Sequence, residues 1–376
     1  MQKATDPPRD GFSRAQIEGL IRDADSVEVG YGCELIDQAL NVLDDISADF
    51  QGGSVSRSSY ATLHGTAVLA IARQLDWAQA IVRPYITLSD GLITARFNLG
   101  AYYTSAPQRS TATVPVIYAV DGYDILHGLN SSVGEAYAVD TGQAYLTVVG
   151  NILRERGFTN VLIDQSAASA VLPAPRVWPI ADETRWLTII NDLLSAVGYQ
   201  GLWSDWDGRL RAEAYTTPID RLSEWTYDTD PATSIMDPDR VYEQDYFDAP
   251  NRWVFVRSND IDGTTPVEGA GIFTYINEFA GTTSVLARGG RVITKVMFIE
   301  AADQAALVRA GQTTIDADTN VKTSITLSTS PNPMHWHFDR ITVVDAALGA
   351  TIQALATQWT LPLDGSNQTH EWTVIG

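Results

Sequence analysis

The chain has 376 residues, 45% of them apolar, and carries 46 acidic against 25 basic side chains for a net charge of −21. That length suffices for two or three domains with cores of their own, and the negative charge disfavours sequence-independent binding to nucleic-acid phosphate. No stretch approaches the roughly 18 uncharged apolar residues of a membrane-spanning helix, and the single cysteine, Cys33, excludes internal disulfides and cysteine-based metal knuckles.

The N-terminal Met1-Gln2-Lys3-Ala4-Thr5-Asp6-Pro7-Pro8-Arg9-Asp10 has no apolar core and does not read as a signal peptide. With the lone cysteine, this fits folding in a reducing cytosol. The acidity serves solubility in its plainer reading; in the sharper one it makes a surface along which a polyanion slides without sticking. Lysine occurs only at Lys3, Lys295 and Lys322. No repeat of fixed period is present.

The first region, 1–130, begins with a polar arm, after which Ser13 is placed to cap a short helix over 14–22. Strand-like pieces follow at 26–30, 34–37, 39–43 and 54–62. Residues 65–78 are apolar at Val68, Ile71, Leu75 and Ala78; this spacing permits one helix or two edge-on strands, and periodicity does not decide between them. Strands are expected at 80–88 and 92–103, joined by Ser89-Asp90-Gly91, a strong hairpin signal, and again at 114–121. The region reads as a small β-barrel or curled sheet.

The second region, 131–225, contains the clearest helices. Asp140 or Thr141 is placed to cap a helix through Arg156, with Tyr145, Val148, Val149, Ile152 and Leu153 on one stripe and Gly157 as terminator. A second helix is expected over 182–197, with Trp186, Ile189, Ile190, Leu193 and Leu194 in phase and Gly198 at its end. Between them, 167–179 is rich in Ala and Pro and reads as a loop or extended crossing. A hairpin follows, 199–203 and 209–215, turning at 205–208.

The third region, 226–376, returns to strands: 239–247, 253–258 and 292–299, with a loop at 263–271 and a short helix over 303–311. Strands at 338–344, 351–356, 358–363 and 370–375 then run to the last residues.

Few residue patterns suggest chemistry. Asp205-Trp206-Asp207-Gly208 resembles part of a calcium loop, but the third oxygen ligand is missing and Ala214 stands where the closing Glu belongs, so a tight hairpin turn is expected. His335-Trp336-His337 would place two imidazoles on one face of a strand; a zinc site needs further ligands, and His64, His127 and His370 are scattered along the chain. The pairs Asp44-Asp45, Asp182-Glu183 and Asp228/Asp230 bring glycosidase carboxylates to mind, yet adjacent pairs arise by chance in so acidic a chain. Trp203, Trp206, Trp225, Trp253 and Trp336 suit sugar stacking, although core packing is the commoner use. Ser56, Ser58 and Ser59 lie near His64 without a nucleophile elbow, and Cys33 has no activating neighbour.

Three segments carry a family resemblance. One is Glu183-Thr184-Arg185-Trp186-Leu187-Thr188-Ile189-Ile190-Asn191-Asp192-Leu193-Leu194 with Gly198-Tyr199, the Asp207-Gly208 hairpin and Pro218. The others are Asn251-Arg252-Trp253-Val254-Phe255-Val256 and the closing segment 354–375, a strand, Pro362-Leu363, an Asp364-Gly365 turn and a strand. Their order over nearly the whole chain resembles the baseplate hub, or tail hub, proteins of long-tailed bacteriophages. The resemblance implies an α+β, mainly β fold: two tube-forming β-barrel domains, 1–130 and 226–376, flanking an α/β middle domain, 131–225.

It further implies a non-enzymatic structural virion protein, a homotrimer that closes the distal end of the tail tube and adapts a sixfold tube to a threefold tip. The implied partners are a distal tail protein ring, a tape measure protein and tip or fibre proteins, with DNA passing through the channel unbound and no membrane contact. Synthesis is expected in the host cytoplasm and residence at the tail tip. No catalytic, cofactor-binding or metal-ligating residue is assigned, no peptidoglycan hydrolysis is expected, and any wall hydrolase belongs on another chain. A substantial share of the acidic residues is expected to line the lumen. The alternative, from the tryptophans and paired carboxylates, is a carbohydrate-active protein that binds or hydrolyses cell-wall glycan.

Overall fold

The computed structural model describes residues 12–22, 27–110, 115–216, 220–230, 234–244, 247–257, 267–299, 304–319 and 323–375. The N-terminal arm with Lys3, and Ser26, Val114, Pro218, Gly263, Asp303 and Lys322, lie outside the described residues. The chain forms two compact units, Met1–Arg240 with Thr326–Trp372, and Val241–Ile325 with Thr373–Gly376.

In chain order, α1 (Arg14–Arg22) precedes β1 (Glu28–Ile36), β2 (Val42–Asp45), β3 (Phe50–Ser58), β4 (Gly65–Ile71), β5 (Ile81–Ser89), β6 (Thr94–Asn98), β7 (Tyr102–Thr104), β8 (Gln108–Ser110) and β9 (Ile117–Asp124). Then come β10 (Tyr137–Val139), α2 (Tyr145–Glu155), β11 (Val161–Ile163), β12 (Arg176–Trp178), α3 (Trp186–Ala196), β13 (Trp203–Ser204), β14 (Leu210–Ala212) and β15 (Trp225–Asp228). The chain leaves the first unit within β16 (Met236–Gln244) and runs through β17 (Arg252–Arg257), β18 (Val267–Glu268), β19 (Gly271–Ile276), β20 (Thr294–Ile299) and α4 (Gln304–Thr319). It returns within β21 (Thr323–Thr329) and ends with β22 (Asp339–Asp345), β23 (Ala350–Pro362) and β24 (Gln368–Val374).

The first helix forms where the sequence places it. Ser13 and Gln16 cap it reciprocally: Gln16 Oε1 accepts the Ser13 N–H at 2.9 Å, and Ser13 Oγ accepts the Gln16 N–H at 3.4 Å. Ile17, Leu20 and Ile21 form its buried stripe. β1 is one strand where the sequence suggests two, because every residue from Glu28 to Ile36 pairs with β5. Residues 65–71 take the strand option, since β4 is paired on both sides, by β3 and β9, which rewards a period of two. The Asp90 hairpin forms as expected, its Oδ1 accepting the N–H groups of Leu92 and Ile93 at 2.8 and 2.9 Å.

Both middle helices start later than their sequence signals. The N-cap positions are Ala144 and Arg185, neither with a side-chain cap, rather than Asp140, Thr141 or Asp182. Tertiary pairing draws the preceding residues away: Gly142 N–H donates to Leu172 O at 2.8 Å, Ala144 bridges Val171, and Arg185 bridges Ser132. The helices pack Val148, Val149, Ile152 and Leu153 against Ile189, Ile190, Leu193 and Leu194 in one core with Leu126, Trp178 and Leu202. The small β11-β14-β13 sheet and the β10-β12 pair belong to this α/β part.

Most strands join one 15-stranded sheet whose path runs β16-β21-β24-β23-β3-β4-β9-β7-β5-β1-β2. β22 pairs with β23 and carries β15, while β6 and β8 attach to β5 and β9. The join between β23 and β3, from Gln358 opposite Ser58 to Pro362 opposite Ser54, places strands from the two ends of the chain in one sheet. The path has two free ends, and no closed barrel forms among the described residues. β23 is one strand of 13 residues rather than two pieces.

In the second unit, β17 lies between β19, antiparallel, and β20, parallel. Trp253 and Phe255 of β17 are buried with Leu307 and Ile315 of α4. α4 runs past Gly311 to Thr319 although the sequence suggests that it ends there. Gly311 is a packing glycine rather than a stop: a Cβ at that position would lie 2.8 Å from the rings of both Phe255 and Phe273.

Candidate assembly surface and buried polar centre

The alternation of β3 puts a charge where apolar residues belong. Arg57 shares the inward phase with Val55 and is 2% exposed. Its guanidinium lies 3.6 Å from the carboxylate of Asp124, as deeply buried, at the end of β9. It also donates to Ser204 O at 3.0 Å and packs 4.4 Å from the Trp336 ring centre. Asp124 accepts from Ser204 Oγ at 2.8 Å and from Leu126 N–H at 3.0 Å, and Trp336 Nε1 donates to the same Ser204 carbonyl at 2.7 Å. Burial pushes Asp124 up and Arg57 down, and each partner opposes this by favouring the other's charged form. β3, β9, the 203–210 hairpin and the 330–338 loop thus meet at one ion pair.

The His335-Trp336-His337 run lies on that buried loop and not on a strand, so the two imidazoles diverge. His335 Nε2 meets the Tyr227 hydroxyl at 2.5 Å, and His370 Nε2 meets Thr329 Oγ1 at 2.9 Å. His337 instead stacks on Trp203, ring centres 5.1 Å apart, and lies 4.5 Å from His64. Burial, helped by the nearby Arg57 charge, holds His64 down to about 3, and burial holds His337 and His370 well below the usual imidazole value. These are two separate imidazole pairs. Among the described residues no group of three or more His, Cys, Asp or Glu is arranged for a metal ion.

The Asp205-Trp206-Asp207-Gly208 segment is the expected hairpin turn. Asp205 is fully buried; Oδ1 accepts the N–H groups of Asp207 and Arg209 at 3.1 and 2.9 Å, and Oδ2 accepts from Arg211 Nε at 3.0 Å. Of the acidic pairs, Asp44 meets Arg73 at 2.7 Å, Asp45 accepts the Ser47 N–H at 3.0 Å, Asp182 and Glu183 are exposed before α3, and Asp228 meets Arg22 at 3.2 Å. Ser56 Oγ bonds Thr360 Oγ1 across strands at 2.8 Å, and Ser59 Oγ accepts the Phe338 N–H at 3.3 Å. Cys33 is buried, and burial pushes its thiol up. Trp203, Trp225, Trp253 and Trp336 are core residues; Trp206 alone of the five singled out reaches the surface.

Two surface features remain. The first is the open face of β24, β23, β3, β4 and β9. Its side chains are Thr369 and Glu371, Gln358 and Thr360, Ser54, Ser56 and Ser58, Thr66, Val68 and Ala70, and Ala119, Asp121 and Tyr123. Most are hydroxyl-bearing, and none is Lys or Arg; the two charges, Glu371 and Asp121, are negative.

The second is a cleft of about 510 Å³ lined by Glu34, Arg83, Arg96, Asn98, Trp206, Asp207 and Arg209. Glu34 accepts from Arg83 and Arg96, each at 2.7 Å. Arg96 also lies 3.7 Å from the Tyr85 ring centre. Asp207 accepts from Asn98 at 2.7 Å and pairs with Arg209; burial opposes its charge, but these hydrogen bonds hold its carboxyl below the ordinary range.

The signal for the Arg57–Asp124 pair was present in the sequence as a charge in the apolar phase of a strand, and sequence reasoning missed it. The cleft left no such signal, because its walls come from three separate segments, at Glu34, Arg83 to Asn98 and Trp206 to Arg209.

No protein-family model matches the sequence, and no curated protein matches it. Solved structures do. The tail protein from Neisseria meningitidis MC58 superposes with a TM-score of 0.63 at 12% identity, covering 92% of this chain and 97% of that one. The 43 kDa tail protein of prophage MuSo2 from Shewanella oneidensis gives 0.63 at 10% identity, covering 93% and 98%. Prophage tail protein gp18 from Listeria monocytogenes EGD-e gives 0.53 at 12% identity, covering 91% and 94%. At these identities the likeness establishes a shared fold, that of phage tail proteins, over nearly the full length of each chain.

Proposed function

We propose that this chain, which has the fold of phage tail proteins, is a non-enzymatic structural component of a tail tip: a homotrimeric hub whose ring surrounds the path of the genome. The observation that carries this reading is the cation-free open face of β24, β23, β3, β4 and β9. Phosphate binds tightly to clustered Lys and Arg, so a wall of hydroxyls with a few carboxylates lets DNA pass where a basic wall would stall it. A sheet built from both ends of the chain, whose path among the described residues ends at β16 and β2 without closing, supports assembly by edge pairing between copies. In this reading the tube-like parts are 1–130 and 226–376, with 131–225 between them, and three copies supply six tube-like parts to the end of a sixfold tube. The neighbours are a distal tail protein ring, the tape measure protein and tip or fibre proteins, with synthesis in the host cytoplasm.

Electron microscopy of particles labelled with an antibody against this chain tests the position and the symmetry. Three copies around an axial channel at the tail tip are expected, and a two-fold arrangement or label away from the tail refutes the hub. Added positive charge tests the open face. Lysines introduced together as Thr66→Lys, Ala119→Lys and Thr369→Lys should leave particles assembled but lower genome delivery by about tenfold or more. Unchanged delivery by intact variant particles would show that this face does not meet the genome.

A further inference from the structure

We propose that the open face of the β18-β19-β17-β20 sheet, in the second unit, docks an amphipathic α-helix of a partner protein, with a carboxylate of that helix over Arg252. The strands of this sheet are apolar in both phases: Trp253-Val254-Phe255-Val256 in β17 and Val296-Met297-Phe298-Ile299 in β20. Strands that read so are covered on both faces, and helices are the usual cover where strands pair in parallel, as β17 does with β20. One face has its helix. Trp253 and Phe255 meet α4, with Phe273, Met297 and Ile299 packed on the same core. The other phase is left to solvent: pairing sets Val254 beside Val296, and Val256 between Ile272 and Phe298, in one apolar surface. Phe298 is 72% and Val296 55% exposed, and Ile276 of β19 extends the surface.

The dimensions fit one helix. β19, β17 and β20 have six residues each, so the face is about 10 Å wide and about 20 Å long. That is the width of a single helix and the length of about 13 helical residues, between three and four turns. A second copy of this chain has no such helix to offer, because α1, α2, α3 and α4 each bury their apolar stripe in their own core. Nor do the longest stretches outside the described residues: 1–11 and 258–266 hold only Met1, Ala4 and Ile261 as apolar residues besides proline, too few for a stripe of that length. Charge sets the rest. Arg252 is exposed at one end of the face, in line with Thr294 and Ile276, and has no ion-pair partner among the described residues. β17, β19 and β20 place no other charged side chain in this phase. At the far end Glu268 of β18, in line with Ile272, accepts the Thr274 N–H and hydroxyl at 3.0 and 2.8 Å. A helix lying along the strands therefore places a carboxylate at the Arg252 end, where the guanidinium can grip it with two parallel hydrogen bonds.

The test needs no assembled tail, so its outcome is independent of the hub. The probe is a fluorescent, covalently stapled helical peptide of about four turns, with leucines at i, i+3, i+4 and i+7 on one stripe and glutamates at one end. One control peptide has the same composition with the leucines scattered around the helix, and another keeps the stripe but carries lysines in place of the glutamates. Titrated with the full chain at low salt, the probe should bind at least about tenfold more tightly than either control. Phe298→Thr, a strand-favouring change at an exposed position, should weaken binding at least about tenfold. Arg252→Glu should reverse the order of the glutamate and lysine peptides. Cys33 is fully buried, so Val296→Cys places the one accessible thiol on the face. A maleimide should label it readily in the free chain and about tenfold more slowly with the probe bound. Melting temperatures check the folding of each variant. Failure of the probe to bind, equal binding of either control, unchanged affinity in folded Phe298→Thr or an unchanged preference in folded Arg252→Glu overturns the proposal. So does a Val296→Cys thiol that resists labelling without the probe, which would mean that the chain covers the face itself. Self-association on sedimentation that is lost in Phe298→Thr would make the occupant a second copy and overturn it equally.

Discussion

Arg57→Met should destabilise the first unit by about 3–5 kcal/mol, the cost of leaving one member of a buried ion pair without its partner. Methionine keeps much of the side-chain volume, so the loss reports on Asp124 and not on a cavity. Asp124 retains Ser204 Oγ and the Leu126 N–H, but no countercharge among its hydrogen-bond partners remains. The Trp336 ring also loses its cation, and Ser204 O one of its two donors. Since whole domains are stable by only about 5–15 kcal/mol, this one change should shift the denaturation midpoint visibly. Adding Asp124→Asn should recover a large part of the loss, because the asparagine oxygen still accepts while the buried charge is gone. Urea unfolding of the two variants decides: a single variant within about 1 kcal/mol of the parent would mean that the pair is not the centre at which these segments are held.

Mild acid should destabilise the same unit before ordinary carboxylates titrate. His64, His337 and His370 are kept neutral by burial, with Arg57 adding to the effect at the first two. Unfolding frees each to bind a proton at its ordinary value near 6.5. The unfolded chain then holds more protons, so stability is fully present above about 6.5 and falls as the pH drops below it, until the folded value is passed. For His64, held down to about 3, the loss is about 2 kcal/mol at pH 5 and about 4 kcal/mol at pH 3, and the other two add in the same direction. Denaturation midpoints should therefore slope steeply between about pH 6.5 and 5, and His64→Asn with His337→Asn should flatten that slope. A parent protein equally stable at pH 7 and pH 5 would show that these imidazoles ionise freely in the fold.

Local chemistry was legible in the sequence. Ser13 caps α1, Asp90 and Gly91 close a hairpin, the stripes from Val148 to Leu153 and from Ile189 to Leu194 are buried, and Asp205 makes a tight turn. Each depends on partners within a few residues, so spacing alone carries it. Where a segment had competing options, only tertiary pairing decided. Residues 65–71 form a strand because β3 and β9 flank them, the cap at Asp140 or Thr141 and the helix start at Asp182 are bypassed because bridges at Ala144 and Arg185 hold the backbone there, and Gly311 stays inside α4, where two phenylalanine rings crowd it. The join of β23 to β3 spans some three hundred residues, and no local pattern encodes a partner at that distance. The same holds for the cleft and for the meeting of Arg57 with Asp124 and Trp336. The sequence alone shows a charge in an apolar phase; which opposite charge and which aromatic ring satisfy it is decided by the register of strands that local preferences leave open.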